Sequence, residues 1–366
     1  MNDDAVFPRV EIEGPPRERG LQYGRAVPER IAASVALYQG EMLRRGVSVP
    51  RQRELAARFV PVIGAFGADY LDEMQGIADG AGVPLEDIVL INARTEMMYG
   101  SHDAPEVQSK LVEGCTGAII LPEATRAGRL LHAHNWDWRA ECADTSIVLC
   151  IRRDNAPDML TFVEAGGLAR HGFNSAGLAL TGNFLQSDRD FKAPGAPLGL
   201  VRRKMLEAPN MAAALKVLWA QPRACSNNLM LSHSDGEAID LECAPDEIFW
   251  IAPEQGLLVH ANHFVSPAAR VKLRDTGLAT FPDSLYRDRR VRSLLAPHVG
   301  HIAREHVTAA LFDTFGAPDA VLRSPKPAVF DAISATVATI IMEPASGTMQ
   351  VARKPYEDPR FSEYRL

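Results

Sequence analysis

The dipeptide Gly114-Cys115 is the feature of this sequence that most directly suggests chemistry. Its thiol opens an apolar run, CTGAIIL, and the residue before it has no side chain to shield its carbonyl carbon from attack. If the Cys115 thiol added to the Gly114 carbonyl, the peptide would rearrange to a thioester, and water would release Cys115 as a new N-terminus. The new α-amine, with an ordinary pKa of about 8, could then accept the thiol proton.

A thiol beside its own amine meets the requirement of acyl transfer for a nucleophile next to a base. The dipeptide is equally compatible with an inert, buried cysteine at the start of a strand. The remaining cysteines form no C-x-x-C pair, so the sequence predicts neither a disulfide framework nor a zinc ribbon. We expect most of these to be buried apolar side chains: Cys142, Cys150, Cys225 and Cys243.

The first hundred residues are predicted to be mostly helical. Apolar residues recur at helical spacing over residues 28–46, 51–66, 69–82 and 84–100. The last of these segments opens with Pro84 and two acidic residues, which suit a first helical turn. The polar stretch that follows, up to Glu113, shows no sustained periodicity and is predicted to be an exposed connection.

From Cys115 onward the pattern changes to short apolar runs separated by turns, which predicts strands. Helical patterns interrupt these runs twice, at 198–221 and at 284–315, and the chain closes with a predicted hairpin between 334 and 355. Runs of strands separated by pairs of helices indicate stacked sheets covered by helices rather than a regular βαβ alternation.

The net charge of -7 and the lack of long Lys/Arg runs argue against a nucleic-acid partner. The acidic N-terminus lacks the basic-then-apolar order of a signal peptide, and no stretch approaches the roughly 20 apolar residues that a membrane span needs. We therefore predict a cytoplasmic protein with no membrane partner.

Several segments carry a family resemblance in their order and spacing: INARTEMMYG, GCTGAIILPE, HNWDW, TFVEAGG, HGFNSAGLAL, VHANH and FPDSLYRDRR. Together they resemble the isopenicillin N acyltransferase family, cysteine-type enzymes of the N-terminal-nucleophile (Ntn) hydrolase superfamily. The likeness is densest from about residue 92 to 290. It implies an α+β fold with a four-layer αββα sandwich. It also implies that autocleavage yields a helical segment, 1–114, and a catalytic chain, 115–366, which stay associated as one domain.

The resemblance implies roles for three residues besides Gly114 and Cys115. Asp137, in HNWDW, matches the family aspartate that holds and polarises the cysteine α-amine. Asn262, in VHANH, matches the asparagine that donates to the oxyanion. Ser226 matches a serine that assists processing or buttresses the nucleophile. Asp137 and Asn262 could instead be strand-end residues that bind backbone.

Further positions match more loosely and are expected to support the site or line its pocket. Arg94 and Glu96 lie in the segment before the cleavage site, Asn174 lies in a glycine-flanked turn, and Arg323 matches an arginine near the active site of the family. Met97, Met98 and Tyr99 could line an apolar acyl pocket or belong to the core.

Two rival interpretations follow from the same residues. His132 and His134 alternate on a predicted strand near Asp137, which is compatible with a metal hydrolase. The chain has no H-E-x-x-H motif, however, and the family motif explains these residues without a metal, so we predict no metal and no cofactor. The second rival is a binding protein that keeps the family architecture but is neither processed nor catalytic.

Within the enzyme interpretation, both outcomes pass through an acyl-Cys115 thioester. Water would resolve it in an amide hydrolase, whereas an amine would resolve it in an acyltransferase that takes its acyl group from a CoA thioester or an amide. No CoA-binding motif is apparent, so hydrolysis of a linear, small-molecule amide is favoured. The expected protein partner is its own second fragment, and a homo-oligomer is possible.

Overall fold

The computed structural model describes residues 6–100, 114–328 and 332–366. Its helices are α1 (Pro16–Ala26), α2 (Pro28–Arg44), α3 (Val49–Phe66), α4 (Ala68–Ala81), α5 (Leu85–Asn92), α6 (Arg94–Gly100), α7 (Cys142–Thr145), α8 (Leu198–Leu206), α9 (Met211–Ala220), α10 (Pro267–Lys272), α11 (Ser284–Leu295) and α12 (Arg304–Leu311). Its strands are β1 (Arg9–Ile12), β2 (Gly114–Ile120), β3 (Leu131–Arg139), β4 (Ser146–Ile151), β5 (Met159–Glu164), β6 (His171–Asn174), β7 (Leu178–Phe184), β8 (Asn227–His233), β9 (Glu237–Cys243), β10 (Ile248–Ile251), β11 (Leu257–His260), β12 (Lys326–Pro327), β13 (Ile333–Glu343), β14 (Thr348–Arg353) and β15 (Ser362–Arg365).

The strands form two sheets. The first has the order β1-β4-β5-β6-β7-β8-β9-β10, and the second has the order β11-β2-β3-β13-β14-β15 with β12 paired to β13. The sheets lie face to face, with β2 and β3 packed against β7. At Gly117 the approach is so close that a Cβ would lie 2.5 Å from Met230 Sδ, so only glycine fits there without a shift of that side chain.

Helices cover the outer face of each sheet. Against the first sheet, α8 packs on β6 and β7, α9 packs on β8, and α2 and α5 bring Ile31, Ile88 and Ile91 to the turn after β5. Against the second sheet, α11 packs on β11 and β2, and α12 packs on β3. The predicted α+β class and four-layer αββα sandwich are therefore confirmed.

The helical segment predicted over 84–100 is two helices, α5 and α6, which meet at Ala93. The interruption has a tertiary cause that the apolar periodicity does not contain. The Asn92 side chain donates to Gly166 O at 2.9 Å and accepts from Leu168 N at 2.9 Å, so the end of α5 is tied to the turn that follows β5. The predicted strands and the other predicted helices are confirmed, whereas β1, α1, α7, α10, β12 and β15 were not predicted.

Helices α1 and α4 cross in close contact, and each helix has glycines at the crossing. A Cβ at Gly20 would lie 2.0 Å from Glu73 O, and a Cβ at Gly76 would lie 2.2 Å from Arg17 O. Gly24 and Gly80 repeat the pattern one turn further along each helix. Backbone therefore contacts backbone at this crossing, which no larger residue permits without moving the helices apart.

The five cysteines are buried, as predicted for most of them, and form no disulfide within the described residues. None of the helices within the described ranges is long and apolar enough to cross a membrane. The predicted exposed connection before Gly114 lies outside the described residues.

Candidate active site

Cys115 sits at the second position of β2, beside β3. Antiparallel pairing places Cys115 opposite Trp136 and Gly114 opposite Asp137. Since side chains alternate along a strand, Cys115 points with Gly117 towards the first sheet, and Thr116 points towards α11. The Cys115 residue is 2% exposed, so any chemistry at its sulfur takes place in a buried site.

Asn262 follows β11 and binds the backbone nitrogen of Cys115. Its Oδ1 accepts from Cys115 N at 2.8 Å and from Arg287 Nη2 at 2.7 Å, and its Nδ2 donates to Phe184 O at 2.9 Å. Two donors on one side and a carbonyl on the other fix the orientation of the amide group. The Asn262 backbone is also held, because its N–H donates to Ser284 Oγ at 2.7 Å.

Arg287, on α11, binds the other end of Cys115. Its Nη1 donates to Cys115 O at 2.6 Å and to Thr116 Oγ1 at 2.9 Å, and its Nε donates to an Asp283 carboxylate oxygen at 2.7 Å. The guanidinium is fully buried. Our reading of the sequence missed Arg287; the signal lay within FPDSLYRDRR, where Asp283 and Arg287 have the i, i+4 spacing of a helical ion pair.

Arg323 lies beside Gly114. A Cβ at Gly114 would lie 2.8 Å from Arg323 Cζ, so the guanidinium occupies the place where a side chain would be. Its Nε is 3.3 Å from Asp137 Oδ2, and its Nη2 donates to Asp283. Glycine at position 114 therefore has a steric reason.

Asp137, Arg323, Asp283 and Arg287 form an ion network of alternating charge around the first two residues of β2. Burial raises the pKa of Asp283, but the two arginines outweigh it and hold that pKa below its usual value. Burial lowers the pKa of Arg323, but the nearby carboxylates of Asp137 and Asp283 have the larger effect, so that pKa is raised. Asp283 and Arg323 are therefore both charged at neutral pH.

Asp137 is held in place from a third strand. Its Oδ1 accepts from Thr336 Oγ1 at 2.6 Å, and the same hydroxyl accepts from Arg323 N at 2.8 Å. Asp137 thus pairs with Gly114 across β2 and β3, and its carboxylate contacts the Arg323 guanidinium. Thr336, on β13, is a second residue that sequence reasoning missed, since a threonine in an apolar strand carries no distinguishing pattern.

Ser226 precedes β8 and belongs to a different cluster from the one around Cys115. Its hydroxyl donates to Asp190 Oδ1 and lies 2.9 Å from Ser187 Oγ. Burial raises the pKa of Asp190 to about 6, although hydrogen bonds from both serines lower it. These bonds tie Ser226 to the segment 187–190.

Arg94 and Glu96 lie on α6 and line a small internal cavity of about 40 Å³. Arg94 Nε is 3.3 Å from Glu164 Oε1, and its guanidinium lies over the Trp138 ring at 5.0 Å. Glu96 Oε1 accepts from Leu198 N at 2.9 Å, and burial raises the Glu96 pKa to about 7.

Asn174 makes only backbone contacts through its side chain in the part of the chain that the structure describes. Its Nδ2 donates to Leu206 O and Ala208 O, each at 2.8 Å, and its Oδ1 accepts from Ala176 N and Leu178 N, each at 3.1 Å. These bonds join the turn between β6 and β7 to the end of α8.

The three residues that end α6 before Gly100 are buried. Tyr99 contacts the Phe184 ring at 5.7 Å between centroids. Met97 lines an outer groove of about 250 Å³ together with Phe191 and Glu96. Glu96 thus lies on both the outer groove and the inner cavity.

The residues that suggested a metal point in opposite directions. His132 bonds Ser232 and Thr181 of the first sheet, whereas Asp137 faces Arg323 on the other side of β3. Burial lowers the pKa of His132 and of His134 to about 3, so both are neutral. Within residues 6–100, 114–328 and 332–366, no group of three or more His, Cys, Asp or Glu side chains is placed to hold a metal ion.

Comparisons of sequence and structure identify known proteins that this chain resembles. A protein of Emericella nidulans named acyl-coenzyme A:6-aminopenicillanic-acid-acyltransferase 40 kDa form is 29% identical over 294 residues, covering 78% of this chain and 77% of its own. Among solved structures, a mutant of conjugated bile acid hydrolase from Clostridium perfringens has a TM-score of 0.49 at 15% identity, covering 69% of this chain and 92% of its own. Penicillin V acylase from Agrobacterium tumefaciens has a TM-score of 0.46 at 15% identity, covering 69% and 86%.

The family model described as acyl-coenzyme A:6-aminopenicillanic acid acyl-transferase matches residues 124–354. This range includes Asp137, Asn262, Arg287 and Arg323 and begins after Cys115. Because the match spans more than half of the chain, this protein belongs to the acyl-coenzyme A:6-aminopenicillanic acid acyl-transferase family.

Proposed function

We propose that this protein is an autoprocessing cysteine Ntn hydrolase that cleaves itself between Gly114 and Cys115 and then hydrolyses a linear amide through an acyl-Cys115 thioester. The observation that carries the proposal is the 2.8 Å hydrogen bond from Cys115 N to Asn262 Oδ1. A buried acceptor already holds the nitrogen that would become the catalytic α-amine.

Self-cleavage begins with addition of Cys115 Sγ to the Gly114 carbonyl carbon. The bond between that carbon and Cys115 N breaks, and the nitrogen takes a proton and becomes the α-amine. Water then hydrolyses the thioester, which leaves a Gly114 carboxylate and regenerates the Cys115 thiol. The Arg323 guanidinium beside Gly114 supports this step because a fixed positive charge stabilises the negative charge that develops on the carbonyl oxygen.

Turnover repeats the same chemistry on an external amide. The α-amine accepts the Cys115 thiol proton, sulfur adds to the substrate carbonyl carbon, and the proton passes to the departing amine nitrogen. Water then resolves the acyl-Cys115 thioester. One Nδ2 hydrogen of Asn262 is engaged by Phe184 O, and we assign the second to the oxyanion, where loss of such a donor typically costs about 3 kcal/mol.

The ion network gives Asp137 its proposed role. Asp137 lies opposite Gly114 in register, so after cleavage its carboxylate would stand beside the new N-terminus and orient the ammonium form. We also propose that residues 1–114 and 115–366 remain together as a heterodimer. Ser226 is assigned a supporting part in processing through its bonds to Asp190 and Ser187.

Intact mass tests the cleavage directly. Purified wild-type protein should show fragments of residues 1–114 and 115–366, whereas Cys115→Ala should keep the full mass of 40.0 kDa and show no amidase activity. Cys243→Ala is the matched control, since Cys243 is also a buried thiol on a strand and should not affect cleavage. A single uncleaved chain in fully active protein would contradict the proposal.

Acyl transfer is the second candidate, and the name of the Emericella nidulans relative favours it. The two candidates share the acyl-Cys115 intermediate and differ in what resolves it. Incubation of an N-acyl amine or an acyl-CoA thioester with and without an added amine, followed by mass spectrometry, separates them. A new amide in the presence of the amine indicates transfer, and free acid alone indicates hydrolysis. A wild-type protein that stays uncleaved and forms neither product would instead be a binding protein.

A further inference from the structure

The segment that carries Asn262 is held by side chains from distant parts of the chain. Residues 261–266 follow β11 and belong to no helix or strand. Four of their backbone N–H groups donate to such side chains: Asn262 N to Ser284 Oγ, Phe264 N to Asp275 Oδ2, and Val265 N and Ser266 N to the Glu242 carboxylate. The position of Asn262 therefore depends on these acceptors rather than on regular secondary structure.

Glu242, on β9 of the first sheet, binds this segment on both sides of Asn262. Its Oε1 accepts from His260 Nε2 at 2.9 Å, two residues before Asn262. Its Oε1 also accepts from Val265 N, and its Oε2 accepts from Ser266 N at 3.1 Å. One carboxylate thus ties the last residue of β11 to the residues just before α10, and Asn262 lies on the loop between them.

Burial makes the Glu242 carboxylate hard to replace. The side chains of Glu242 and His260 are both inaccessible to solvent. Burial lowers the pKa of His260, but Asp240 and Glu242 outweigh it and raise that pKa to about 9. Removal of the carboxylate would leave a buried imidazolium and two backbone N–H groups without this acceptor, and donors that lose a charged acceptor in a buried place are costly.

The first turn of α11 holds the same segment from another direction. Ser284 Oγ accepts from Asn262 N at 2.7 Å, so its single hydrogen is available to His263 Nδ1, 2.8 Å away. Arg287, one turn later, donates to Asn262 Oδ1. The loop is therefore held between β9 and α11, and this arrangement places Asn262 Oδ1 at 2.8 Å from Cys115 N.

We propose that Glu242 is a positioning residue for the reaction at Cys115, because it holds the segment on both sides of Asn262 and so sets Asn262 against Cys115 N. Glu242 acts through Asn262 and not on the reacting atoms. Its effect can be large, since a misplacement of about 1 Å can cost about 100-fold in rate. The role in the reaction rests on the proposed function, whereas the placement of Asn262 can be measured without turnover.

Amide hydrogen exchange tests the placement of Asn262. In Cys115→Ala, the N–H of residue 115 should keep its bond to Asn262 Oδ1, because only the backbone of residue 115 takes part. Adding Glu242→Gln should speed exchange at residue 115 by at least about tenfold, as expected for loss of a hydrogen bond to a charged group. The other amides of β2 should be nearly unchanged, whereas a general loss of stability would affect the whole strand. Mass spectrometry with electron-transfer fragmentation locates the exchange.

Asp240→Asn in the same background is the matched control. Asp240 lies two residues before Glu242 on β9, is also buried and also raises the His260 pKa, but it accepts from Asn228 rather than from the segment 261–266. Its substitution should cause no selective change at residue 115. Thermal unfolding reports whether each variant is folded. The proposal is overturned if folded Glu242→Gln shows no selective change, or if Asp240→Asn shows the same one.

A second measurement needs no substitution at Glu242. In Cys115→Ala alone, the amides of Val265 and Ser266 should have about the same protection as the amide of residue 115 and should lose it at the same urea concentration, because the three bonds open together. Rapid exchange at Val265 and Ser266 with residue 115 still protected would show that Glu242 does not hold Asn262 in place, and the proposal would fail.

Self-cleavage separates this proposal from the proposed function. With Cys115 intact, Glu242→Gln should slow cleavage by about tenfold or more, as followed by intact mass, and Asp240→Asn should not. Unchanged cleavage in Glu242→Gln refutes the positioning role and leaves the proposed function standing. If wild-type protein is not cleaved but Glu242→Gln selectively speeds exchange at residue 115, the proposed reaction is refuted and the placement of Asn262 by Glu242 is supported.

Discussion

At the residue scale, the site is built around the backbone of Cys115 as much as around its sulfur. The nitrogen is held by Asn262 and the carbonyl by Arg287, and these two residues also bind each other. The peptide is therefore fixed on both sides of the thiol before any cleavage takes place. Such fixation reduces the entropy that must be lost on the way to the transition state.

Arg287→Met should slow self-cleavage by about tenfold or more, because a buried charge-assisted hydrogen bond contributes about 1.5–3 kcal/mol. Cleavage can be followed by intact mass during refolding or after rapid purification. Arg290→Met is the matched control, since Arg290 lies on the same helix but pairs with Asp313 away from Cys115. An unchanged cleavage rate in folded Arg287→Met would remove Arg287 from the site.

His260, at the end of β11, makes stability depend on pH. Burial lowers its pKa, but Asp240 and Glu242 outweigh it and raise the pKa to about 9, against about 6.5 in the unfolded chain. Because the folded pKa is the higher one, this contribution is fully present below pH 6.5 and is lost as the pH rises to 9. By linkage, a rise of this size amounts to about 3 kcal/mol.

Urea unfolding of wild-type protein and His260→Gln at several pH values measures this effect. The free-energy difference between the two should be largest near pH 6 and should shrink towards pH 9.5. Substitution of the exposed His301 by Gln provides a control with no such trend. A difference that stays constant across this range would contradict a charged His260–Glu242 pair.

At the element scale, the crossing of α1 and α4 depends on glycine. Gly20→Ala improves helix propensity but places a Cβ 2.0 Å from Glu73 O, so the two helices must separate. We expect a loss of about 2 kcal/mol or more in the free energy of unfolding. Gly64→Ala in α3 is the matched control, because its nearest neighbour is Leu71 Cδ2 at 3.9 Å and propensity alone should stabilise it by about 0.5–1 kcal/mol.

Chemical denaturation of the Gly20→Ala and Gly64→Ala variants measures both changes in the free energy of unfolding. Opposite signs for the two substitutions are expected. A stabilising Gly20→Ala would show that the close approach of α1 and α4 does not limit the packing of this layer.

At the scale of the whole molecule, the segment before the proposed cleavage site is part of the core. Its β1 pairs in parallel with β4, from Arg9↔Val148 to Ile12↔Ile151, and its helices cover the first sheet. Separation of residues 1–114 from the remainder would expose this layer to water, which the hydrophobic effect opposes.

After cleavage, we therefore expect the two fragments to co-elute in size-exclusion chromatography at the volume of uncleaved Cys115→Ala. They should separate only in denaturant. A free 115–366 fragment under native conditions would refute the proposed heterodimer.

The sequence determined much of this protein by itself. The periodicity of apolar residues located most helices and strands. Side chains return to the same face every 3.6 residues in a helix and every 2 residues in a strand, so the residues that face the core recur at those intervals. The family resemblance pointed to Gly114, Cys115, Asp137, Asn262 and Arg323 as separate positions. Their roles remain proposals that the experiments above address.

Only the tertiary structure decided how these positions meet. It placed Arg287 between Cys115 and Asn262, put His132 and Asp137 on opposite faces of β3, and divided the predicted helix at Ala93. It also gathered Arg94, Arg170 and Arg202 around one cavity. Each of these outcomes depends on register and packing between segments far apart in the chain, and local patterns carry no information about such contacts.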